Sequence, residues 1–200
     1  MKPSKLPTYH KLANDHTSIF RELESLPTVE LSGEVLFKGK KYNPNTPAPA
    51  KHYILIIDEK SAGTGGGTFT AGAWQTRDLN TVKTDTGSHA SLSNNQITLA
   101  AGTYEVEISC PACAVNSHKA RLYNITDSTT ALVGTTEFAY SGMYTFQTRS
   151  FILGVLTIDE PKVFEVQHRC SSTRKTDGFG KAANYDEVEV YTVAQFYKVG

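Results

Sequence analysis

Three cysteines and six histidines are the groups in this sequence best suited to metal or redox chemistry. Cys110-Pro111-Ala112-Cys113 forms a C-x-x-C pair. In a thioredoxin-like site such a pair opens a helix after a strand, where the helix N-terminus lowers the thiol pKa. Here it closes an alternating run, Tyr104 to Cys110, so a redox role does not fit. A zinc site would need two further ligands. His168 and Cys170 are two residues apart, hence on one strand face, and with Cys110 and Cys113 could complete a Cys3His set. Against this, Cys110 continues the apolar face of Val106 and Ile108, and Cys170 that of Phe164 and Val166. Thiols in that setting belong in a core, so the reading is no metal and no cofactor, with these four residues as the weak candidates.

Other chemistry is also weakly supported. Gly63-Thr64-Gly65-Gly66-Gly67-Thr68 lacks the Gly-Lys-Ser/Thr that a phosphate loop needs at a helix start, and reads as a flexible loop between strands. Glu105 and Glu107 share a strand face, roughly 6.5–7 Å apart by strand rise. Paired carboxylates can hydrolyse glycosides, yet adjacent acids on a wet strand are ordinary solvated surface. There is no G-x-S-x-G elbow and no Ser-His-Asp arrangement. Asn124-Ile125-Thr126 matches a glycosylation sequon. The opening MKPSKLPTYHKL has no apolar h-region, so the expectation is a chain made in a cytoplasm with that sequon idle. An enzyme is not expected.

The elements that would carry these residues are strands. In 200 residues there are 24 Thr, 10 Tyr and 9 Phe, residue types that favour half-buried pleated surfaces. The 15 Gly and 8 Pro punctuate short runs. Lys and Arg total 20 and so do Asp and Glu, which gives no basic footprint for nucleic acid. No apolar run reaches the ~18 residues of a membrane helix.

Residues 1–50 read differently from the rest. Ile19, Phe20, Leu23 and Leu26 fall on one helical face within Asn14 to Leu26, with Pro27 as a stop. Val29 to Phe37 reads as extended. Gly39 to Ala50, with Pro44, Pro47 and Pro49, reads as a semi-rigid polyproline spacer. The expected division is an arm over 1–50 and a β domain over 51–200. Within the latter, strands are expected near Tyr53–Ile57, Ala73–Leu79, Gln96–Ala100, Tyr104–Cys110, His118–Asn124, Leu132–Glu137, Phe151–Ile158, Val163–Cys170 and Glu187–Val199. The fold class is all-β, a jelly-roll sandwich of about ten antiparallel strands with a short N-terminal helix.

Three of these strands are apolar on both faces. In Phe151 to Ile158 one face carries Phe151, Leu153 and Val155, and the other Ile152, Leu156 and Ile158. Tyr53 to Ile57 behaves likewise. In the last strand Val188, Val190, Ala194 and Phe196 are expected on one face, and Tyr191, Val193, Tyr197 and Val199 on the other. A sandwich strand needs only one apolar face. The second requires a cover, and further copies of the chain around a symmetry axis are the simplest.

Residues 51–200 are similar to a module common in tailed-bacteriophage and prophage virion proteins. The matching stretches are Tyr53-Ile54-Leu55, GGTFTAGAWQTRDLNT (66–81), LAAGTYEVEISCPA (99–112), ARLYNITD (120–127), GTTEFA (134–139), FEVQHRCSSTRKTDGFGKAAN (164–184) and EVYTVAQFYK (189–198). The pattern also resembles the trimeric jelly rolls of tumour necrosis factor-like and complement globular heads. The resemblance implies a homotrimer in a fibre, tail tip, baseplate or head decoration, located on the virion. It carries no catalytic residues over, and implies polar pairing for Arg121 and Arg169. Residues 1–50 would then dock other virion proteins, without membrane insertion or nucleic-acid binding. Loops 61–68, 85–93, 139–148 and 171–184 would be free to meet a host-surface glycan, with Tyr140, Tyr144, Phe146 and Phe179 stacking on sugars. The alternatives are a capsid cement protein and a surface-polysaccharide hydrolase using Glu105 and Glu107.

Overall fold

The computed structural model describes residues 35–37, 40–42 and 51–199. The chain divides into two units, Met1–Ala48 and Pro49–Gly200. In the first, β1 (Val35–Phe37) pairs antiparallel with β2 (Lys40–Tyr42). Within the expected polyproline spacer, Lys40–Tyr42 is therefore strand; it lies before Pro44, and no ring blocks its ladder. The helix expected over Asn14 to Leu26 and the prolines of the spacer lie outside the described residues.

The second unit is built from strands only, among the described residues. They are β3 (Lys51–Lys60), β4 (Gln75–Thr76), β5 (Thr81–Asp85), β6 (Ala90–Ser93), β7 (Gln96–Leu99) and β8 (Gly102–Cys113). Then come β9 (Asn116–Asn124), β10 (Thr129–Ala139), β11 (Gln147–Ile158), β12 (Lys162–Cys170) and β13 (Glu189–Val199). One sheet has the order β11-β8-β13-β3-β5, the other β10-β9-β12-β7-β6, with β4 added against β12. All pairings are antiparallel. From β7 onward the chain crosses between sheets at every connection except the β9–β10 hairpin, which is the winding of a jelly roll.

The clean alternation of β8 sets the layer between the sheets. Tyr104, Val106, Ile108 and Cys110 are buried, while Glu105 and Glu107 face out. They pack with Ile54, Ile56, Leu122, Ile152, Phe164, Val166 and Phe196 in one cluster. At roughly 1.5–3 kcal/mol for each large side chain removed from water, this layer is the main reason the unit folds. Pro111 is tolerated in β8 because β13 pairs only as far as Ser109, so no ladder bond on that side is lost.

A second, smaller cluster closes one pole: Phe69, Ala112, Val115, Ala139, Cys170 and Phe179. Between the clusters sits Arg77, fully buried. Its Nε donates to Thr192 Oγ1 (2.8 Å), and its two terminal nitrogens to the carbonyls of Pro111 (2.9 Å) and Phe179 (3.0 Å). The guanidinium also lies 4.4 Å from the centre of the Phe179 ring. One side chain thus ties β8, β13 and the 171–184 loop together. Burial opposes its charge, with buried Asp58 among the groups that offset this.

Two of the four loops expected to be free, 61–68 and 171–184, are laced to each other. Gly66 N–H donates to Gly180 O, Gly67 N–H to Thr176 O, and Phe69 and Arg174 exchange both backbone bonds. A Cβ on Gly66 would lie 2.7 Å from the Phe179 carbonyl carbon, and one on Gly178 2.8 Å from the Phe69 nitrogen. The glycines serve this close approach rather than mobility.

Two more expectations change. β5 and β6 lie outside the expected strands: both are short edge strands, β5 carries no apolar alternation, and the alternation of β6 (Ala90 and Leu92 inward, Ser91 and Ser93 outward) spans only four residues. In β13 the register shifts between Val190 and Val193. That bulge puts Tyr191 and Thr192 both inside and leaves Val190 exposed, so Val188 and Val190 do not share the buried face of Ala194 and Phe196.

Candidate functional site

The outward face of the five-stranded sheet is the surface that least resembles ordinary solvated protein. Its register sets three rungs across β11, β8, β13 and β3. Phe151, Ser109, Val193 and Ile57 form the first, and Leu153, Glu107, Gln195 and Leu55 the second. Val155, Glu105, Tyr197 and Tyr53 form the third. On β11 Phe151 is 38% exposed, Leu153 59% and Val155 63%. The opposite side of the same strand, Ile152, Leu156 and Ile158, is in the core. The two apolar faces read from the sequence are both present, and the outer one has no cover within the described residues.

The rest of the face is held in place. Tyr53 and Tyr197 stack with centroids 4.9 Å apart, and both hydroxyls donate to Gln195 Oε1. Arg149 Nη1 donates to Ser109 Oγ (2.8 Å) and to the Tyr191 carbonyl (3.2 Å). Glu105 pairs with Lys51 at 3.4 Å; Glu107, between Leu153 and Gln195, has no ion pair among the described residues. The face therefore carries both charge signs beside its apolar column. The outer edge of β11 is closed on β10 by side chains: Ser150 Oγ donates to Thr135 O and accepts from Ala120 N–H. Phe151 N–H donates to Thr135 Oγ1. A closed edge leaves the flat of the sheet, not its border, as the sticky surface.

The weak metal candidates and the residues expected to meet sugar are distributed as follows. Cys110 lies in the large core, while Cys170 and Cys113 lie buried toward the pole. Burial pushes the thiols of Cys110 and Cys170 up to about 11, so both are protonated at neutral pH. No group of three or more His, Cys, Asp or Glu gathers at ligand spacing among the described residues. Tyr140, Tyr144 and Phe146 are exposed, with Tyr140 and Phe146 edge to face at 6.2 Å. Phe179 is not available to a sugar. It is buried, stacked on Phe69 at 4.4 Å and covered by Arg77.

His168, the fourth weak candidate, pairs with another histidine. Its Nε2 lies 3.0 Å from His118 Nδ1, and His118 Nε2 lies 2.8 Å from Thr148 Oγ1. His168 Nδ1 is buried without a partner among the described residues. Burial lowers His118 to about 4 and holds His168 well below the usual range, where Arg77 adds repulsion. Unfolded, both would take a proton near about 6.5. The pair's contribution to stability is therefore complete above about pH 6.5 and falls as pH drops toward about 4. Each site steepens the loss by at most about 1.4 kcal/mol per pH unit. Urea melts at about pH 7 and pH 5 should show it, with the double variant His118→Gln, His168→Phe losing clearly less between the two. An equal loss in the variant would remove the pair as the cause.

No family model matches the chain, and no curated protein matches it. Among solved structures it is similar to the crystal structure of murine APRIL at pH 8.0, with TM-score 0.47 and 9% identity over 74% of this chain and 99% of that one. The pH 5.0 structure of the same protein gives TM-score 0.49 at 9% identity with the same coverage. The pH 8.5 structure gives 0.43 at 8%, again with that coverage. The jelly roll is assigned here from its own strand order.

Proposed function

We propose that this chain is a homotrimeric structural component of a bacteriophage virion, of the fibre, tail-tip or baseplate kind. The outer face of the β11-β8-β13-β3 sheet is the contact between copies. The observation that carries the assembly is the exposed column Phe151, Leu153 and Val155 on a strand whose other side is already in the core. Three copies around a closed axis cover such a face without leaving a further one exposed. The face offers itself both charge signs, in Glu107 and Arg149. The chain's zero formal charge puts no long-range repulsion between copies. The virion placement is supported by the sequence resemblance of residues 51–200. Residues 1–50 supply the attachment to other virion proteins, and the exposed Tyr140, Tyr144 and Phe146 supply a contact for host-surface glycan.

Two measurements test the two halves of this reading. Light scattering of the full chain at micromolar concentration should return three times the mass of one chain; the mass of one chain would end the assembly reading. Gold-labelled antibody to residues 51–200 should decorate one end of the tail on particles from the strain that encodes the chain. Label on the capsid lattice instead would favour a cement role, and unlabelled particles would end the virion reading.

A further inference from the structure

The other sheet carries a hollow of about 650 Å3 on its outer side. Its floor is β9 and β12, and one wall is the 71–74 loop with Trp74. Lys119 on β9 and Arg169 on β12 stand directly opposite each other in the ladder, and both line the hollow. Like charges at such a cross-strand pair repel, and proteins that keep one usually place a carboxylate beside it. Here no ion pair to either cation is present among the described residues. Arg121, two residues along β9, shows the contrast. Its guanidinium bonds Gln167 and Thr130 and lies 4.1 Å from Trp74 and 4.4 Å from Tyr123. Thus one of the two arginines expected to pair is fully engaged, and it fixes the indole in place. The other projects into the hollow beside a lysine.

The remaining lining is suited to a sugar rather than to a bare ion. Trp74, one face of whose ring is covered by Arg121, offers its remaining surface to the hollow as an apolar platform. Ser117, Ser171 and Thr136 supply hydroxyls that can both donate and accept. The volume falls in the range of small-molecule sites, larger than an inorganic anion needs. We propose that this hollow binds a carboxylate-bearing sugar of an acidic polysaccharide. Arg169 and Lys119 would take the carboxylate, Trp74 the ring face, and the hydroxyls the sugar oxygens. The site lies within one chain, so it stands or falls independently of trimer formation and of the virion placement.

The test uses the full chain, trigalacturonate as the acidic ligand and galactotriose as its neutral counterpart, with binding followed by NMR shifts and calorimetry. Trigalacturonate should bind at least roughly tenfold more tightly than galactotriose, and shift resonances of Trp74, Lys119 and Arg169. Lys119→Gln with Arg169→Gln should weaken it by about thirtyfold or more at unchanged melting temperature, and flatten its salt dependence. Trp74→Leu should weaken both saccharides. Equal binding of the two saccharides, binding untouched by the double variant, or none up to about 10 mM would overturn the proposal. So would inorganic phosphate competing at the same concentration as the saccharide, which would leave a plain anion site.

Discussion

Leu153→Asp is expected to turn the assembled protein into single chains while leaving the fold intact. Leu153 contributes nothing to the core; its side chain points away from it and is more than half exposed. In one chain the substitution places a carboxylate beside Glu107, its cross-strand neighbour, at a cost of roughly 0.2–1 kcal/mol. In a trimer it acts three times. Each Leu153 has only its exposed 59% left to bury, so losing three removes roughly 2.7–5.3 kcal/mol, before any charge is desolvated. At about 1.4 kcal/mol per tenfold, that is a shift of roughly a hundredfold or more in the assembly constant. Light scattering reads the mass, and a melt at low concentration reads the fold. Val133→Asp is the matched control. Val133 is equally exposed but lies on β10 of the other sheet, and its substitution should leave the mass alone. If Leu153→Asp keeps the assembled mass, the contact between copies is elsewhere.

Arg77→Met should be the most damaging single substitution to the fold itself. Methionine fills the space, but three acceptors lose their donor: Thr192 Oγ1 and the carbonyls of Pro111 and Phe179. Buried groups stranded in this way cost roughly 1–3 kcal/mol each, and partial access to water reduces the sum to about 3–5 kcal/mol. Arg77→Lys should rescue little, since one ammonium on a flexible stem cannot span three acceptors placed for a planar fork. Urea unfolding measures both. Arg121→Met, which removes a half-buried guanidinium whose acceptors Gln167 and Thr130 lie at the surface, should cost clearly less than Arg77→Met. An unchanged midpoint for Arg77→Met would mean that water reaches the orphaned acceptors.

The parts of the molecule legible in the sequence are those where one side chain's character decides its place. Alternation in Tyr104 to Cys110 and double-sided apolarity in Phe151 to Ile158 state directly which layer each residue joins. The all-β class follows from the same signals, and the exposed outer face of β11 follows from the second. What stayed hidden depends on partners distant in the chain. Nothing near Arg77 marks it as buried, because its acceptors come from residues 111, 179 and 192. Phe179 reads as a loop aromatic because the loop that covers it is over a hundred residues earlier. β5 is a strand by virtue of its neighbour β3, not of its own pattern. The His118–His168 contact joins two strands that only the sheet order makes adjacent. The hollow beside Trp74 was equally invisible, since Lys119 and Arg169 meet only through the β9–β12 register.

Lys51 and Val199 are opposite one another where β3 and β13 run side by side. The loops bearing Tyr140, Tyr144 and Phe146 sit at the far pole, where Ala114 N–H, beyond the end of β8, reaches the Phe146 carbonyl. Residue 51 thus marks one pole of this unit, the base, and the aromatic loop marks the opposite one, the tip. A fluorescent reporter fused after residue 199 would mark the base rather than the tip. Joining residues 199 and 51 by a short linker and reopening the chain at 142–143 would give a circular permutant whose new ends project at the tip.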